Sequence, residues 1–415
     1  MKFKCRRDAC VPGDDAGETP AYPVKLKVID NMKRNAKIVL LACVGLIFNF
    51  QFSIFNSVQA QEMPLSQTAV ASVLTCGPGN DFYTTFGHSA IRICDTAQGI
   101  DLVYNYGTFD FDTPHFYWKF MRGQLDYMLG RSSFNGFMEE YIYYGRAVWE
   151  QRLHLTPQEV NNLYLMLEWN YQPENRYYRY DFFRDNCATR IRDMVRLSLG
   201  HTDTLIADYE GPVRTYRRWV THELEGTLEW WRLGIDLLFG LPADHRCTDV
   251  ESMFLPIVMH DIYAGTYPKG TDGPIVDESV QLLPEKRAPL SRSFPPVVVF
   301  AIVFVAVALL TWKRKMPRWV DRTLFILAGL LGLALLFMWF GTDHYCTEWN
   351  LNILWASPLL ILIAIRLERS PKWALWLQEG CFAVAAVWVV WCGLSMALLP
   401  LILTLALRVG VLLKN

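Results

Sequence analysis

Five long apolar stretches near the C-terminus constrain the fold of this chain more than any other feature. They cover about residues 297–312, 323–340, 351–365, 377–394 and 396–413. A helix needs roughly 17–25 predominantly apolar residues to cross the hydrocarbon core of a bilayer. Most of these stretches approach that length, so the sequence predicts a five-helix transmembrane domain over residues 295–415. The third stretch is short, and the last two are nearly continuous, which fits a tight hairpin around Pro400.

Charges between the stretches predict the side of the membrane on which each loop lies. Five Lys and Arg residues lie within 313–322 and three within 366–372, whereas segment 341–350 has none. Short loops rich in Lys and Arg stay in the cytoplasm. We therefore expect a multi-pass protein of the cytoplasmic (inner) membrane that starts outside, crosses five times and ends inside at Lys414.

Residues 32–60 have the pattern of a secretory signal. Basic residues within 33–37 precede an apolar run over 38–54 and small residues up to Ala60. The alternative is an uncleaved anchor helix. We interpret residues 1–31 as an over-long gene start, with Met32 as the initiator. Either alternative places residues 61–294 outside the cytoplasm.

Residues 61–294 are of single-domain size and predict an α+β domain. Strand patterns over 69–75, 89–93 and 102–106 are followed by another over 147–155. Thr156-Pro157-Gln158-Glu159 is a capping box that opens a helix to about residue 171. Further helices are expected from Cys187, over 215–224 and over 227–239. The net charge of −1 gives no indication of a nucleic-acid partner.

Cys187 is the sharpest candidate for chemistry because it starts a predicted helix directly after Asp185 and Asn186. Unpaired N–H groups at a helix start favour a thiolate, which is the nucleophilic form of cysteine. Arg184 and Arg190 can add to this effect. The alternative is a buried structural cysteine or half of a disulfide.

His88 is the candidate partner of Cys187. It begins an apolar strand after Gly87, and a histidine on a strand facing a cysteine on a helix is an activated-nucleophile arrangement. Asn105, on the next strand, can orient the imidazole. The alternatives are an ordinary surface or core histidine and a turn residue, respectively.

The cysteines that are predicted to lie outside the cytoplasm are candidates for disulfide pairing. Cys76, Cys94, Cys187 and Cys247 lie in the domain, and Cys346 lies in the outer loop. An oxidising compartment favours pairing, and Cys76 and Cys94 end neighbouring predicted strands, so they are a candidate bridge. The odd count leaves at least one thiol free. The scattered spacing does not favour a metal site.

A run of aromatic residues begins within the candidate strand over 102–106, and it has two interpretations. Residues 104–118 pack as core and turn, or they wall a groove for an acyl chain near the membrane. In the second interpretation Tyr104, Tyr106 and Phe109 bind substrate. Asp343 and His344 then face the same site from the outer loop, or they form a solvated loop.

Several motifs together resemble the Lnb-type family of Bacteroidota. They are GPG at 77–79, FGHSAIR at 86–92, YNYGTFDF at 104–111, RGQLDY at 122–127, DNCATR at 185–190 and MFLP at 253–256. The resemblance covers about residue 64 to the end. It implies a permuted papain-like (NlpC/P60-type) periplasmic domain, in which the His strand precedes the Cys helix, followed by a five-helix transmembrane domain.

The resemblance also implies a lipoprotein N-acyltransferase. A phospholipid would donate an acyl chain to Cys187, and the N-terminal amine of a diacylated lipoprotein would accept it. His88 would act as the base, Asn186 and Ser89 would support the oxyanion position, and no cofactor would be needed. One alternative is a membrane-anchored cysteine peptidase or amidase acting on cell-wall peptides. A second is a non-catalytic lipid-binding or assembly protein.

Overall fold

A seven-stranded antiparallel sheet dominates the region before the C-terminal helices. The computed structural model describes residues 65–81, 84–200, 205–207, 209–268, 273–287 and 293–414. The strands are β1 (Val70–Cys76), β2 (His88–Asp95), β3 (Ile100–Thr108), β4 (Asp126–Ser133), β5 (Val148–Leu153), β6 (Tyr177–Arg179), β7 (Leu205–Ala207), β8 (Thr266–Pro268) and β9 (Val276–Leu283). The large sheet has the order β6-β4-β3-β2-β1-β5-β9, and β7 pairs with β8. The predicted signal segment and the extension before it lie outside the described residues.

Eight α-helices lie in the same region among the residues that the structure describes. They are α1 (Phe116–Met121), α2 (Phe134–Tyr144), α3 (Pro157–Tyr171), α4 (Cys187–Ser198), α5 (Tyr216–His222), α6 (Glu229–Leu238), α7 (Asp249–Ser252) and α8 (Pro256–Ala264). The combination of an antiparallel sheet with these helices confirms the predicted mixture of strands and helices. The Thr156–Glu159 capping box is formed, and Pro157 is the first residue of α3.

Alternating side chains give the sheet a core on each face. On one face, Ile91 and Ile93 of β2 join the main core, to which α3, α4 and α8 also contribute. On the other face, Leu74 of β1 and Ala90 of β2 pack with Phe137 of α2. Because both faces are covered, the position of α4 relative to β2 and β3 is fixed by packing.

The C-terminal region is helical. Its helices are α9 (Pro296–Trp312), α10 (Arg318–Phe340), α11 (Leu359–Arg366), α12 (Lys372–Trp391) and α13 (Leu398–Lys414). By length and composition, three segments can cross a membrane, namely Arg318–Phe340, Tyr345–Arg369 and Lys372–Trp391, and Pro296–Trp312 is a shorter apolar helix.

Two places in the helical region depart from the regular helices predicted from the sequence. The segment around α11 contains 3-10 turns, including Leu351–Leu354, and only eight residues of regular α-helix. The expected turn at Pro400 is displaced toward the N-terminus, because Pro400 lies in the first turn of α13. The chain reverses before it, where Gly393 has a φ of +66°.

A buried ion pair joins α10 to α13. Arg408 donates to both carboxylate oxygens of Asp321, at 2.6 and 2.8 Å, and to the hydroxyl of Thr311 in α9 at 2.7 Å. Charges within an apolar helix bundle are stable only when they are paired and hydrogen-bonded in this way.

The two loops of the helical region that lack Lys and Arg contact the sheet domain. The Asp343 N–H donates to the Arg122 carbonyl at 2.8 Å, and the Gly240 N–H donates to the Cys346 carbonyl at 2.8 Å. In the second loop, the Ser395 N–H donates to Asp236 at 2.8 Å. The two connections rich in Lys and Arg, 313–322 and 366–372, contact each other instead, through the pair between Arg318 and Glu368 at 2.6 Å. The loops that are predicted to lie outside are therefore the ones that bind the sheet domain.

The candidate bridge between Cys76 and Cys94 is wrong. In the antiparallel β1–β2 ladder, Cys76 pairs with His88 and Cys94 pairs with Val70, so the two cysteines lie at opposite ends. A separation of six residues along a strand is roughly 20 Å, which is far beyond disulfide reach. Both thiols are free, as are the other cysteines among the described residues.

Candidate active site

His88 is positioned by the turn that starts β2. Gly87 has a φ of +77°, and a Cβ atom there would lie 2.5 Å from the Cys76 carbonyl oxygen. Only glycine accepts both the left-handed backbone and this close approach. The turn therefore delivers His88 to the first position of β2, directly opposite Cys76.

Cys187 is positioned by the start of α4. Asn186 caps this helix, since its side-chain oxygen accepts from the N–H groups of Ala188 and Thr189 at 2.9 and 3.0 Å. The Thr189 hydroxyl completes a capping box by accepting from the Asn186 N–H at 2.8 Å. Cys187 is thus the first helical residue, and its side chain is buried.

The structure brings Cys187, His88 and Asn105 together. The Nε2 atom of His88 is hydrogen-bonded to the Asn105 side-chain oxygen, and the imidazole is also hydrogen-bonded to the Cys187 side chain. Because Asn105 occupies Nε2, the Nδ1 atom is left to exchange a proton with sulfur. A thiol, an imidazole and an amide arranged in this way can act as nucleophile, base and orienting group.

The environment favours the thiolate form of Cys187. Burial opposes the negative charge and is the largest single effect. The charge of His88, its hydrogen bond and the backbone N–H groups of Ser89 and Ala188 together outweigh burial. The pKa of the Cys187 thiol is therefore lowered from its ordinary value.

The pKa of His88 shifts in the direction opposite to that of Cys187. Burial disfavours the imidazolium, but the Cys187 charge and hydrogen bonds to Cys187 and Asn105 outweigh this effect and raise the pKa of His88. The two shifts favour transfer of the proton from the Cys187 thiol to the His88 imidazole. In contrast, burial raises the pKa of the Cys76 thiol to about 12, so that cysteine is inert.

Gly107 leaves open the space beside the pair. It lies at an irregularity in the β3–β4 pairing and has a φ of +91°. A Cβ atom there would contact the Cys187 Cβ at 3.6 Å and the His88 Cε1 at 3.9 Å. The absence of a side chain at this position therefore leaves room next to both reactive groups.

Asn186 and Ser89 support the thiolate in different ways. The side-chain amide of Asn186 donates to the carbonyls of Phe182 and Phe254, at 2.8 and 2.9 Å, so it holds the helix start rather than a ligand. The Ser89 N–H bonds the Cys187 sulfur. The Ser89 hydroxyl is buried and has no partner among the described residues.

The three aromatic candidates occupy different places. Tyr104 is fully buried, and its hydroxyl bonds Glu168 of α3. Tyr106 is also buried and packs edge-on against Tyr178, with ring centroids 6.1 Å apart. Phe109 is half-buried and contacts the ring of Tyr127 at 5.4 Å. Of the three, Phe109 has the most accessible ring.

Asp343 and His344 bind the turn after α1. The Asp343 carboxylate accepts from the Gln124 side chain at 3.0 Å. The His344 Nε2 donates to the carbonyls of Phe120 and Met121, at 3.2 and 3.1 Å. Their polar groups connect the outer loop to α1, and the hydrogen bonds of the Cys187 pair do not involve them.

Tyr178 is a site residue that the sequence interpretation missed. Its exposed fraction is 9%, and its hydroxyl has no partner among the residues that the structure describes. That hydroxyl lies 4.0 Å from the position of a Cβ on Gly107, beside Cys187. Burial, followed by the Cys187 charge, raises the pKa of Tyr178 well above its ordinary value, so the hydroxyl remains a donor.

The ring of Tyr178 is held firmly. The Arg190 guanidinium lies 3.8 Å from the ring centroid, and Arg190 is itself paired with Asp185. Tyr178 also pairs with Tyr127 across β4 and β6. The only sequence signal was the aromatic run at 177–183, which is equally typical of core packing.

Comparison with known proteins gives two matches. Residues 58–222 match the family model of the Lnb N-terminal periplasmic domain, and residues 288–415 match that of the Lnb transmembrane domain. The first range includes His88, Asn105, Tyr178 and Cys187. No curated protein and no solved structure matches the chain.

Proposed function

This chain belongs to the Lnb family, with a periplasmic domain and a transmembrane domain, and we propose that it is a lipoprotein N-acyltransferase. In this proposal it moves an acyl chain from a phospholipid, through a thioester on Cys187, to the N-terminal cysteine amine of a diacylated lipoprotein. The observation that carries the proposal is the hydrogen-bonded arrangement of the buried Cys187 with His88 and Asn105. No cofactor takes part in the proposed reaction.

The first half-reaction is acylation of Cys187. The thiolate attacks the ester carbonyl carbon of the phospholipid, and the carbonyl oxygen becomes an oxyanion. The bond between that carbon and the glycerol oxygen then breaks. The His88 imidazolium gives its proton to the leaving oxygen, which yields a thioester and a lysophospholipid.

The second half-reaction transfers the acyl chain to nitrogen. An α-amine has a pKa of roughly 7.7–8.0, so a base that removes its proton promotes attack at neutral pH. Neutral His88, left by the first step, accepts that proton as the amine attacks the thioester carbon. The carbon–sulfur bond breaks, and the Cys187 thiolate and the His88 imidazolium are restored.

Tyr178 is our candidate donor to the oxyanion. The N–H groups of Ala188 and Thr189 already bond the Asn186 cap. The Tyr178 hydroxyl is buried, unpartnered within the described part of the chain, and borders the same space at Gly107 as Cys187 does. Preorganised donors aimed at a developing oxyanion are usually the largest single contribution to acyl transfer.

We also propose a permuted papain-like fold for the domain and a five-span, multi-pass arrangement in the inner membrane. The order of a His strand before a Cys helix supports the first. The contact between the sheet domain and the loops that lack Lys and Arg supports the second.

The main alternative is a cysteine peptidase or amidase that acts on cell-wall peptides with the same pair. Such an enzyme needs only a tether. The many hydrogen bonds between the sheet domain and the outer loops favour a reaction at the membrane surface instead. A non-catalytic role with Cys187 in a disulfide is less favoured, because Cys187 is free.

The deciding experiment is mass spectrometry of lipoprotein N-termini from cells in which this is the sole candidate enzyme. Cys187→Ala and His88→Ala are expected to leave diacylated lipoproteins. Cys94→Ala, which removes a half-buried thiol of the same domain, serves as the control and should retain triacylation. Triacylated lipoproteins in the Cys187→Ala cells would refute the proposal.

A further inference from the structure

A line of aromatic rings leads from the Cys187 pair to the surface. Tyr178, beside Cys187, contacts Tyr127 at a centroid distance of 6.5 Å, and Tyr127 contacts Phe109 at 5.4 Å. Phe109 contacts Phe116, the first residue of α1, at 5.7 Å. These four residues and Trp118 are called the aromatic track below.

The outer end of the aromatic track reaches a membrane helix. Trp118 contacts Phe337, in the last turn of α10, at 6.1 Å. The hydrogen bond between the Asp343 N–H and the Arg122 carbonyl joins the end of α1 to the loop that follows α10. The end of α10 next to α1 is therefore the end on the side of the sheet domain.

The α1 segment exposes an unusual number of aromatic side chains. Tyr117 is 82% exposed, and Trp118 and Phe120 are also largely exposed. Single exposed apolar side chains are common, but a contiguous patch marks an interaction site. Aromatic rings next to the end of a membrane helix are typical of the interface between water and lipid. The exposed rings of α1 therefore have the composition and the position expected at a bilayer surface.

We infer that the aromatic track is the route by which a phospholipid acyl chain of the outer leaflet reaches Cys187. The inference rests on the proposed acyl transfer and adds the path of the donor. An ester carbonyl is held in the headgroup region of the bilayer, so it must leave that region to meet a buried sulfur. The successive ring contacts from α1 to Tyr178 offer the chain apolar contacts in place of water along the way.

Two cations next to the aromatic track suit the phosphate of the same lipid. Lys119 is half-buried on α1, and Arg122 follows the helix. Neither has an acidic side chain within ion-pair distance in the described part of the chain. A phosphate close to them would leave its acyl ester free to enter the aromatic track.

Photocrosslinking of the full-length protein tests the route. The p-benzoylphenylalanine side chain is placed at position 109, 117 or 143, in a Cys187→Ala background and in vesicles of phosphatidylethanolamine with a labelled acyl chain. Tyr143 is the matched control, because it is a helical tyrosine that is 83% exposed, on α2. Labelling at 117 and at the half-buried position 109 should exceed that at 143 several-fold.

Labelling at 117 without labelling at 109 would overturn the inference, since α1 would then be an anchor only. Equal labelling at 117 and 143 would overturn it as well. Because the Cys187→Ala background removes the nucleophile, these results report lipid binding without chemistry. The lipoprotein assay can therefore fail or succeed independently of them.

A second comparison tests the phosphate contact. Lys119→Gln should reduce crosslinking of phosphatidylethanolamine at position 109 several-fold. Crosslinking of diacylglycerol with the same chains, which lacks the phosphate, should be unchanged. An equal loss for both lipids would refute the phosphate contact, whereas selective loss would support it.

Discussion

The Nε2 atom of His88 is hydrogen-bonded to the side-chain oxygen of Asn105, on the neighbouring strand β3. This bond fixes the ring orientation and leaves Nδ1 for Cys187. Asparagine is neutral, so the buried site carries one negative and one positive charge when the pair is ionised. Asn105 therefore orients and stabilises the imidazolium without adding a third charge to a buried site.

Asn105→Ala is expected to reduce acyl transfer about tenfold, because a lost hydrogen bond of about 1.4 kcal/mol corresponds to that factor. The pH midpoint of Cys187 alkylation should also rise, since the imidazolium loses a partner. The measurement is the pH profile of iodoacetamide labelling. Asn105→Gln, which keeps the amide, should restore part of the activity. An unchanged midpoint in Asn105→Ala would contradict the positioning role.

The pH dependence of Cys187 labelling follows from its lowered pKa. The thiolate persists as the pH falls below the ordinary thiol pKa of about 8.5, so labelling of the native protein should continue there. In His88→Ala the imidazolium is absent but burial remains, so the midpoint should move upward past the ordinary value. Identical profiles for the two proteins would show that His88 does not stabilise the thiolate.

Tyr178→Phe is expected to lower the reaction rate without lowering the stability of the fold. Removal of one oxyanion donor is expected to lower the maximal rate of thioester formation by roughly 10²–10³-fold. Stability should be unchanged or slightly higher, because the hydroxyl that is removed is buried and unpartnered. Tyr106→Phe removes a second buried, unpartnered hydroxyl and is the matched control. Equal rates for both variants would exclude Tyr178 as the donor.

Gly107→Ala is expected to block the space beside the pair. Its methyl group would contact Cys187 and His88, and its backbone has a positive φ. Gly99→Ala is the control, since Gly99 has a φ of +69° but no atom within 4 Å of the added Cβ. Both variants should lose about 1–2 kcal/mol of folding free energy. Only Gly107→Ala should slow Cys187 labelling, and equal labelling in both would contradict this account.

Much of the site could be expected from local patterns. A helix start at Cys187 and a strand start at His88 are visible in the sequence, because caps, turns and apolar runs act over a few residues. Tyr178 was not singled out, since an aromatic residue in a run has the same appearance in a core and at a site. Its role depends on Arg190 and Gly107, which only the folded sheet brings to it.

The wrong disulfide and the contacts that were not predicted both depend on strand direction or on long-range contact. The proposed Cys76–Cys94 bridge ignored the fact that an antiparallel hairpin places the end of one strand beside the start of the next. The interactions of Asp343 and His344 with the turn after α1 span more than 200 residues. Periodicity and spacing carry no information on such contacts.

Arg217 provides the last prediction, because it anchors the sheet domain to the membrane domain. It is fully buried, and it donates to Asp244 at 2.7 and 3.1 Å and to the carbonyls of Phe239 and Gly240. Its other partner, Asp236, accepts from the Ser395 N–H of the outer hairpin at 2.8 Å. Removal of Arg217 leaves Asp244 without its cation and the buried Asp236 with only Arg232, 4.0 Å away.

Breaking a buried ion pair from one side costs about 3–5 kcal/mol. Arg217→Ala should therefore lower the melting temperature of the detergent-solubilised protein by roughly 6 °C or more. Arg196→Ala is the matched control, because Arg196 is half-exposed and its pair with Asp193 on the same helix spans 3.7 Å. An exposed pair contributes about 1 kcal/mol or less, so that variant should melt close to the native protein. Similar melting of the two variants would show that the Arg217 cluster does not hold the domains together.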